Sequence, residues 1–221
     1  MAALIFDFDG VIADSEAIAN TVLAEAVTDL GHATTLDHSL ARYSGRRWHE
    51  VVAEIEAAIG SPVPPNFSDD LKHATLERFR TDLKEVGGAT NFIRRFSCIP
   101  RCIASSSSLD RLQLCLSLLA LEAEFGRHVY SADMVARGKP HPDIFLLAAD
   151  RLGVKPKECL VIEDSAGGIR AAVAAGMTAV GLCAASHVRE GHDLKLKDAG
   201  AVHLANSWPD VERFALQFFE A

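Results

Sequence analysis

No segment of the 221-residue sequence reaches the roughly eighteen uninterrupted apolar residues that a membrane-spanning helix needs, so no membrane partner is expected. The first residues, Met1-Ala2-Ala3 and a short apolar run ending at Asp7, lack a basic n-region, a long apolar h-region and a small-residue cleavage site. Cysteine is sparse. The five, Cys98, Cys102, Cys115, Cys159 and Cys183, are odd in number and form no CxxC pair, so they read as buried thiols of a reducing cytosol. These absences predict a cytoplasmic protein.

Basic residues are too few to coat a nucleic-acid backbone: 22 Lys and Arg face 30 Asp and Glu, a net charge of −8 at pH 7. No nucleic-acid partner is expected. A negatively charged substrate would have to be met by a few local cations, or by a metal, inside an otherwise repulsive field. There is no internal repeat, and Ser105 to Ser108 is the only low-complexity patch. What is present is a composition of 49% hydrophobic and 24% charged residues, which excludes disorder and a collagen-like chain and can bury a core without disulfides or metal staples. At about 150 residues per domain the length allows one full domain and a smaller appendage.

Short apolar runs ending in polar or small residues recur through the second half, separated by helix-period segments: Cys102 to Ala104, His128 to Tyr130, Leu160 to Ile162, Ala179 to Leu182 and Ala201 to Leu204. Ala3 to Phe8 is a sixth, at the N-terminus. Apolar runs without polar alternation suit strands covered on both faces, and strand–helix alternation implies crossover helices. The predicted fold is α/β, a doubly wound parallel sheet. The stretch 15–83 breaks the rhythm with helix-period patterns only, such as Val51, Val52, Ile55, Ala58 and Ile59, then Leu71, Leu76 and Phe79. It reads as an inserted all-helical domain, leaving 1–14 and 84–221 as the α/β core. Gly60 to Pro65 is a turn inside the insert, and Gly87-Gly88 a hinge where the chain returns.

Four strand ends carry the chemistry. The first run ends in Asp7-Phe8-Asp9-Gly10-Val11, and the period of two sends Asp7 and Asp9 to one side. Two carboxylates leaving a buried strand are costly unless a cation holds them, and a divalent metal is the natural partner. A turn or N-cap role would explain one Asp but hardly both. An EF-hand, suggested by the offset of Glu16, fails because Ile5 occupies the first ligand position. Next, Ile103-Ala104 runs into Ser105-Ser106-Ser107-Ser108 and a helical segment from Leu109. Ser105, first off the strand, offers a hydroxyl to a phosphate beside free backbone N–H groups, while Ser107 or Ser108 suits a plain N-cap. Third, Gly138-Lys139-Pro140-His141-Pro142-Asp143 stiffens the chain around one lysine, which suits a fixed anion or an ordinary surface turn. Fourth, Leu160-Val161-Ile162 leads into Glu163-Asp164-Ser165, where Asp164 or Ser165 could also simply cap the next helix. In an open α/β sheet these ends meet at the carboxyl edge, where ligands bind.

This order and context closely resemble the haloacid dehalogenase-like hydrolase superfamily, whose four motifs match Asp7-Phe8-Asp9-Gly10-Val11, Ser105, Lys139 and Glu163-Asp164. The resemblance covers the whole chain, with 15–83 in the place of the helical cap of the β-phosphoglucomutase and phosphoglycolate phosphatase-like groups. It implies a Rossmann-like core, Mg2+ as cofactor and an aspartyl-phosphate intermediate. Asp7 would be the nucleophile and Asp9 the general acid and base. Ser105, Ser106 and Lys139 would cradle the phosphate. Asp7, Asp9 through its backbone carbonyl, Asp164 and Glu163, directly or through water, would hold the metal. Glu16, Asn20, Arg46, Arg47 and Lys72 are the candidate substrate contacts of the cap. The acceptor separates phosphatase from mutase: β-phosphoglucomutase-like members carry a histidine in the first cap helix where this chain has Asn20. Hydrolysis of a small phosphorylated metabolite, a sugar phosphate or a relative of one, is therefore expected over a phosphosugar mutase. A phospho-acceptor receiver module also sets acids, a hydroxyl and a lysine at parallel strand ends, but is about half this length and lacks an insert. A dehalogenase would not use Asp9.

Overall fold

Six strands line up edge to edge in the computed structural model, which describes residues 2–220: β1 (Ala3–Phe6), β2 (Arg101–Ser105), β3 (Val129–Ser131), β4 (Cys159–Glu163), β5 (Thr178–Leu182) and β6 (His203–Ala205). All pairings are parallel and the order is β3-β2-β1-β4-β5-β6. This is the doubly wound order, and the chain reverses its direction of travel across the sheet beside β1. The central strands β1 and β4 are buried at every residue, which is why they read as unbroken apolar runs. The expected α/β class is thus observed. β6 starts two residues later than its run, because the chain turns at Gly200 (φ +108°) and leaves Val202 62% exposed.

Helices cover both faces. Ala3, Ile5, Cys102, Ala104, Cys159, Val161 and Ala179 pack with Ile144, Phe145 and Ala148 of α8 (Asp143–Leu152) and Ile169, Ala171 and Ala172 of α9 (Ala166–Ala174). On the other face Phe6 meets Phe92 of α5 (Ala89–Arg95), Phe125 of α7 (Glu122–Phe125) and Trp208 of α11 (Trp208–Glu220), with ring centroids 5.9–6.1 Å apart. α6 (Leu109–Leu118) buries Leu112, Cys115 and Leu116, the i, i+3, i+4 stripe of an amphipathic helix. α10 (His192–Asp198) buries Leu196. The thiols divide: Cys102, Cys115 and Cys159 are buried and Cys183 is half-buried, whereas Cys98 is exposed, in the turn between α5 and β2.

The chain divides into two compact units, one formed by the residues up to Asp14 and from Lys84 on, the other Ser15–Leu83. The second contains α1 (Glu16–Asp29), α2 (Leu36–Arg42), α3 (Trp48–Ile59) and α4 (Phe67–Asp82). It has its own core of Leu23, Val27, Tyr43, Val51, Ile55 and Phe67. In the α/β unit the segments that lead to and from the helical one run antiparallel, with Val86 N donating to Ile12 O (2.8 Å) and Asp14 N to Lys84 O (2.9 Å). Gly88, with φ +102°, opens α5, where a Cβ would come within 3.2 Å of Trp208. Among the described residues no helix is long and apolar enough to cross a membrane.

Candidate active site

Asp7 extends the β1–β4 ladder by one bond, its N–H donating to Ile162 O at 2.9 Å, and the chain then leaves the sheet. Fully buried Phe8, Val11, Ile12 and Ala13 anchor the loop, and Ile12 N and Ala13 N both donate to Phe8 O at 2.9 Å. Gly10 has φ +75°, and a Cβ there would meet Asp164 Oδ2 at 1.8 Å. The bare backbone at position 10 is therefore what lets the Asp164 carboxylate lie against the β1 loop.

Lys139 reaches this edge from the loop before α8. Its Nζ donates to Asp7 Oδ1 at 2.8 Å and to Glu163 Oε1 at 2.7 Å, and lies 5.0 Å from the Phe145 ring centroid. The Lys139 side chain is only 6% exposed. Burial alone would pull its ammonium down, but Asp7 and Glu163 outweigh it and hold the group above its ordinary value. Burial also drives the Asp7 carboxyl well above the usual carboxylate range. Lys139 opposes this, while Glu163 and Asp164 reinforce it, and burial wins.

Glu163 ends β4 with no exposed surface. Its Oε2 accepts from Ser165 N (2.7 Å) and Ser165 Oγ (2.9 Å), so together with Lys139 both of its oxygens are engaged. Ser165 caps α9 by accepting from Gly168 N at 3.0 Å. Gly168 must be bare, since a Cβ would come within 1.5 Å of Glu163 Oε1. Asp7, Glu163 and Asp164 each offer a carboxylate oxygen within 4.8 Å of the others, all three buried, which is an oxygen set that could hold a metal ion.

Asp9 faces a second group. Its Oδ1 accepts from Arg111 Nη2 and its Oδ2 from Ser107 Oγ, both at 2.6 Å. Ser105 ends β2 with 1% exposure, and its Oγ accepts from Ser107 N at 3.1 Å. Ser131, its register partner on β3, donates from Oγ to Ser107 O at 2.7 Å. Ser106 is exposed, and Ser108 is the N-cap residue of α6. Arg111 sits in the first turn of α6, where a cation opposes the helix dipole. That misfit is the one sequence signal that would have found it. His187 and His192, which touch Asp164, carried no such signal.

The five cap candidates lie in the helical unit. Asn20 is buried in α1, its amide donating to Glu16 O (2.9 Å) and accepting from Ser39 Oγ (2.8 Å). Arg46 pairs with Glu54 and, at 3.7 Å, with Glu50. Arg47 is the residue before α3, Lys72 lies on α4, and both are exposed, while Glu16 is half-buried.

Residues 1–176 match the haloacid dehalogenase-like hydrolase family. A conserved haloacid dehalogenase-like protein of unknown function from Agrobacterium tumefaciens has 35% identity and a TM-score of 0.90 over 99% of both chains. A fructose-1-phosphate phosphatase of Escherichia coli is 32% identical over 180 residues, 81% of this chain and 95% of that one. A structure described as a putative β-phosphoglucomutase from Thermotoga maritima has 28% identity and a TM-score of 0.79, covering 98% of this chain and 99% of that one. With the parallel sheet, the acidic strand ends and the buried lysine in place, the chain belongs to the haloacid dehalogenase-like hydrolase family.

Proposed function

We propose that this protein is a Mg2+-dependent phosphatase that hydrolyses a small phosphomonoester, a sugar phosphate or a related metabolite, through an aspartyl-phosphate on Asp7. The observation that carries the reading is the Lys139 ammonium shared between Asp7 and Glu163 beside Asp164. Three buried carboxylates lie within 4.8 Å of one another, and two of them share the one ammonium of Lys139. Hard oxygen donors fit Mg2+, which Asp7, Asp164 and the Asp9 carbonyl would hold. Glu163, with both oxygens engaged, serves to hold Lys139. When bound, the cation would screen the anionic nucleophile from the anionic phosphate.

The Asp7 carboxylate attacks phosphorus in line as the ester P–O bond breaks, and Asp9, entering this step as the neutral acid, gives its proton to the leaving oxygen. Water then attacks the aspartyl-phosphate, Asp9 takes its proton, and the bond to Asp7 breaks to release phosphate. Lys139 and Ser105, with Ser106 beside it, stabilise the charge on the transferring oxygens. Arg111 and Ser107 set the direction of the Asp9 carboxylate. The helical unit acts as the cap that reads the leaving group, with Glu16, Arg47 and Lys72 as substrate contacts. Arg46, neutralised by two glutamates, and Asn20, bonded within the unit, serve to shape it. Asn20 has no basic nitrogen to prepare a sugar hydroxyl, which favours water as acceptor over the mutase reaction.

The test is a panel of sugar phosphates, fructose 1-phosphate included, assayed for released phosphate with Mg2+ and with EDTA. Multiple turnover that stops in EDTA and returns with Mg2+ is expected. EDTA-resistant hydrolysis by dialysed protein would overturn the metal requirement, and no turnover on any member would overturn the phosphatase reading.

A further inference from the structure

The stretch from the end of β5 to the first residue of α10 lies outside the four strand-end motifs, yet it bonds to the site at two points. His187 is buried, and its Nε2 lies 3.2 Å from Asp164 Oδ2. His192, the first residue of α10, places its Nε2 2.6 Å from Asp164 O. The two rings meet edge to face at 5.6 Å, so each limits the other's rotation. The stretch is also tied down beside them, because Ser186 donates to Asp14 Oδ1 from both N (3.0 Å) and Oγ (2.8 Å). A Cβ on Gly10 would come within 2.9 Å of His187 Cε1 as well as 1.8 Å of Asp164 Oδ2. The imidazole, the carboxylate and the bare loop backbone thus form one packed contact.

We propose that His187 and His192 are positioning residues for the cation site, His187 orienting the Asp164 side chain and His192 its main chain. The inference rests on the reading that Asp164 holds a divalent cation. An N–H donated to one carboxylate oxygen fixes the plane of the group, and losing such an outer partner costs about 10–100-fold in metal affinity. Oδ2, the oxygen beside His187, is also the one that a Cβ on Gly10 would meet, so the imidazole and the bare loop backbone bound the same side of the carboxylate. His192 adds a bond that Asp164 needs whatever its side chain does. The segment 183–192 is therefore part of the site's construction and not only a connection.

Mn2+ binding to the full-length protein, followed by electron paramagnetic resonance of the free ion, tests this beside thermal unfolding of each variant in EDTA. Wild type should bind one Mn2+ and Asp164→Asn none. His187→Ala should bind at least about tenfold more weakly at a temperature where unfolding in EDTA shows it still folded, and His187→Gln, which keeps an N–H donor, should recover most of the affinity. If wild type binds and Asp164→Asn does not, wild-type affinity in His187→Ala overturns the positioning role and leaves the metal reading standing. Affinity lost only in step with melting temperature, and not recovered by His187→Gln, also overturns it. A wild-type protein that binds no Mn2+ overturns both.

Discussion

Lys139 donates to Asp7 at 2.8 Å across 132 positions of sequence, and the same ammonium donates to Glu163 at 2.7 Å. One buried cation thus holds two strand ends together. Breaking a buried pair by deleting one partner costs about 3–5 kcal/mol, because the carboxylates left behind stay desolvated. Lys139→Met should therefore lose about 3 kcal/mol in urea unfolding in EDTA and at least about 100-fold in turnover. A variant as stable as wild type would show that the cluster tolerates its own charge.

Gly168→Ala should destabilise the protein although alanine is the better helix residue by about 1 kcal/mol. A Cβ there enters the space of Glu163 Oε1 and Cδ, at 1.5 and 1.9 Å, and Glu163 is pinned by Lys139 and Ser165. The expected loss exceeds about 2 kcal/mol, with a parallel loss of activity as Lys139 is displaced. A gain in melting temperature would mean that Glu163 moves freely.

The strand ends could be read from the sequence because a buried parallel strand is apolar until it leaves the sheet, and the change at Asp7, Ser105 and Glu163 marks that exit. Lys139 could be read because two prolines, Pro140 and Pro142, follow it closely and stiffen the chain there. The Asp9 clamp could not: Ser107 and Arg111 reach Asp9 across 98 and 102 positions, and only the fold brings them there. Arg46 is a candidate substrate contact in the sequence, yet in the structure it pairs with Glu50 and Glu54 of α3. Cys98 has apolar neighbours in the sequence but lies in an exposed turn, outside any helix or strand that would bury it.

Alkylation of the native protein near pH 8 should therefore label one cysteine quickly, at Cys98. Burial pushes the Cys115 thiol up to about 12, helped by Asp9, and Cys159 and Cys183 to about 11. Thiolate, the reactive form, is scarce at all three. Peptide mapping that finds Cys115 or Cys159 modified as fast as Cys98 would contradict this.

With β-glucose 1-phosphate as substrate, phosphate and glucose should accumulate together, because water is the expected acceptor and Asn20 is bonded within the helical unit. Following both products by coupled assay checks this. Conversion to glucose 6-phosphate well ahead of phosphate release would favour the mutase reaction.

Acid quenching during turnover, followed by peptide mass spectrometry, tests the nucleophile most directly. Wild type with Mg2+ and an active phosphomonoester should carry one phosphoryl group on the peptide containing Asp7. Asp7→Asn should carry none and lose at least about a thousandfold in turnover. A phosphoryl group on another residue, or near-normal turnover by Asp7→Asn, would contradict covalent catalysis by Asp7.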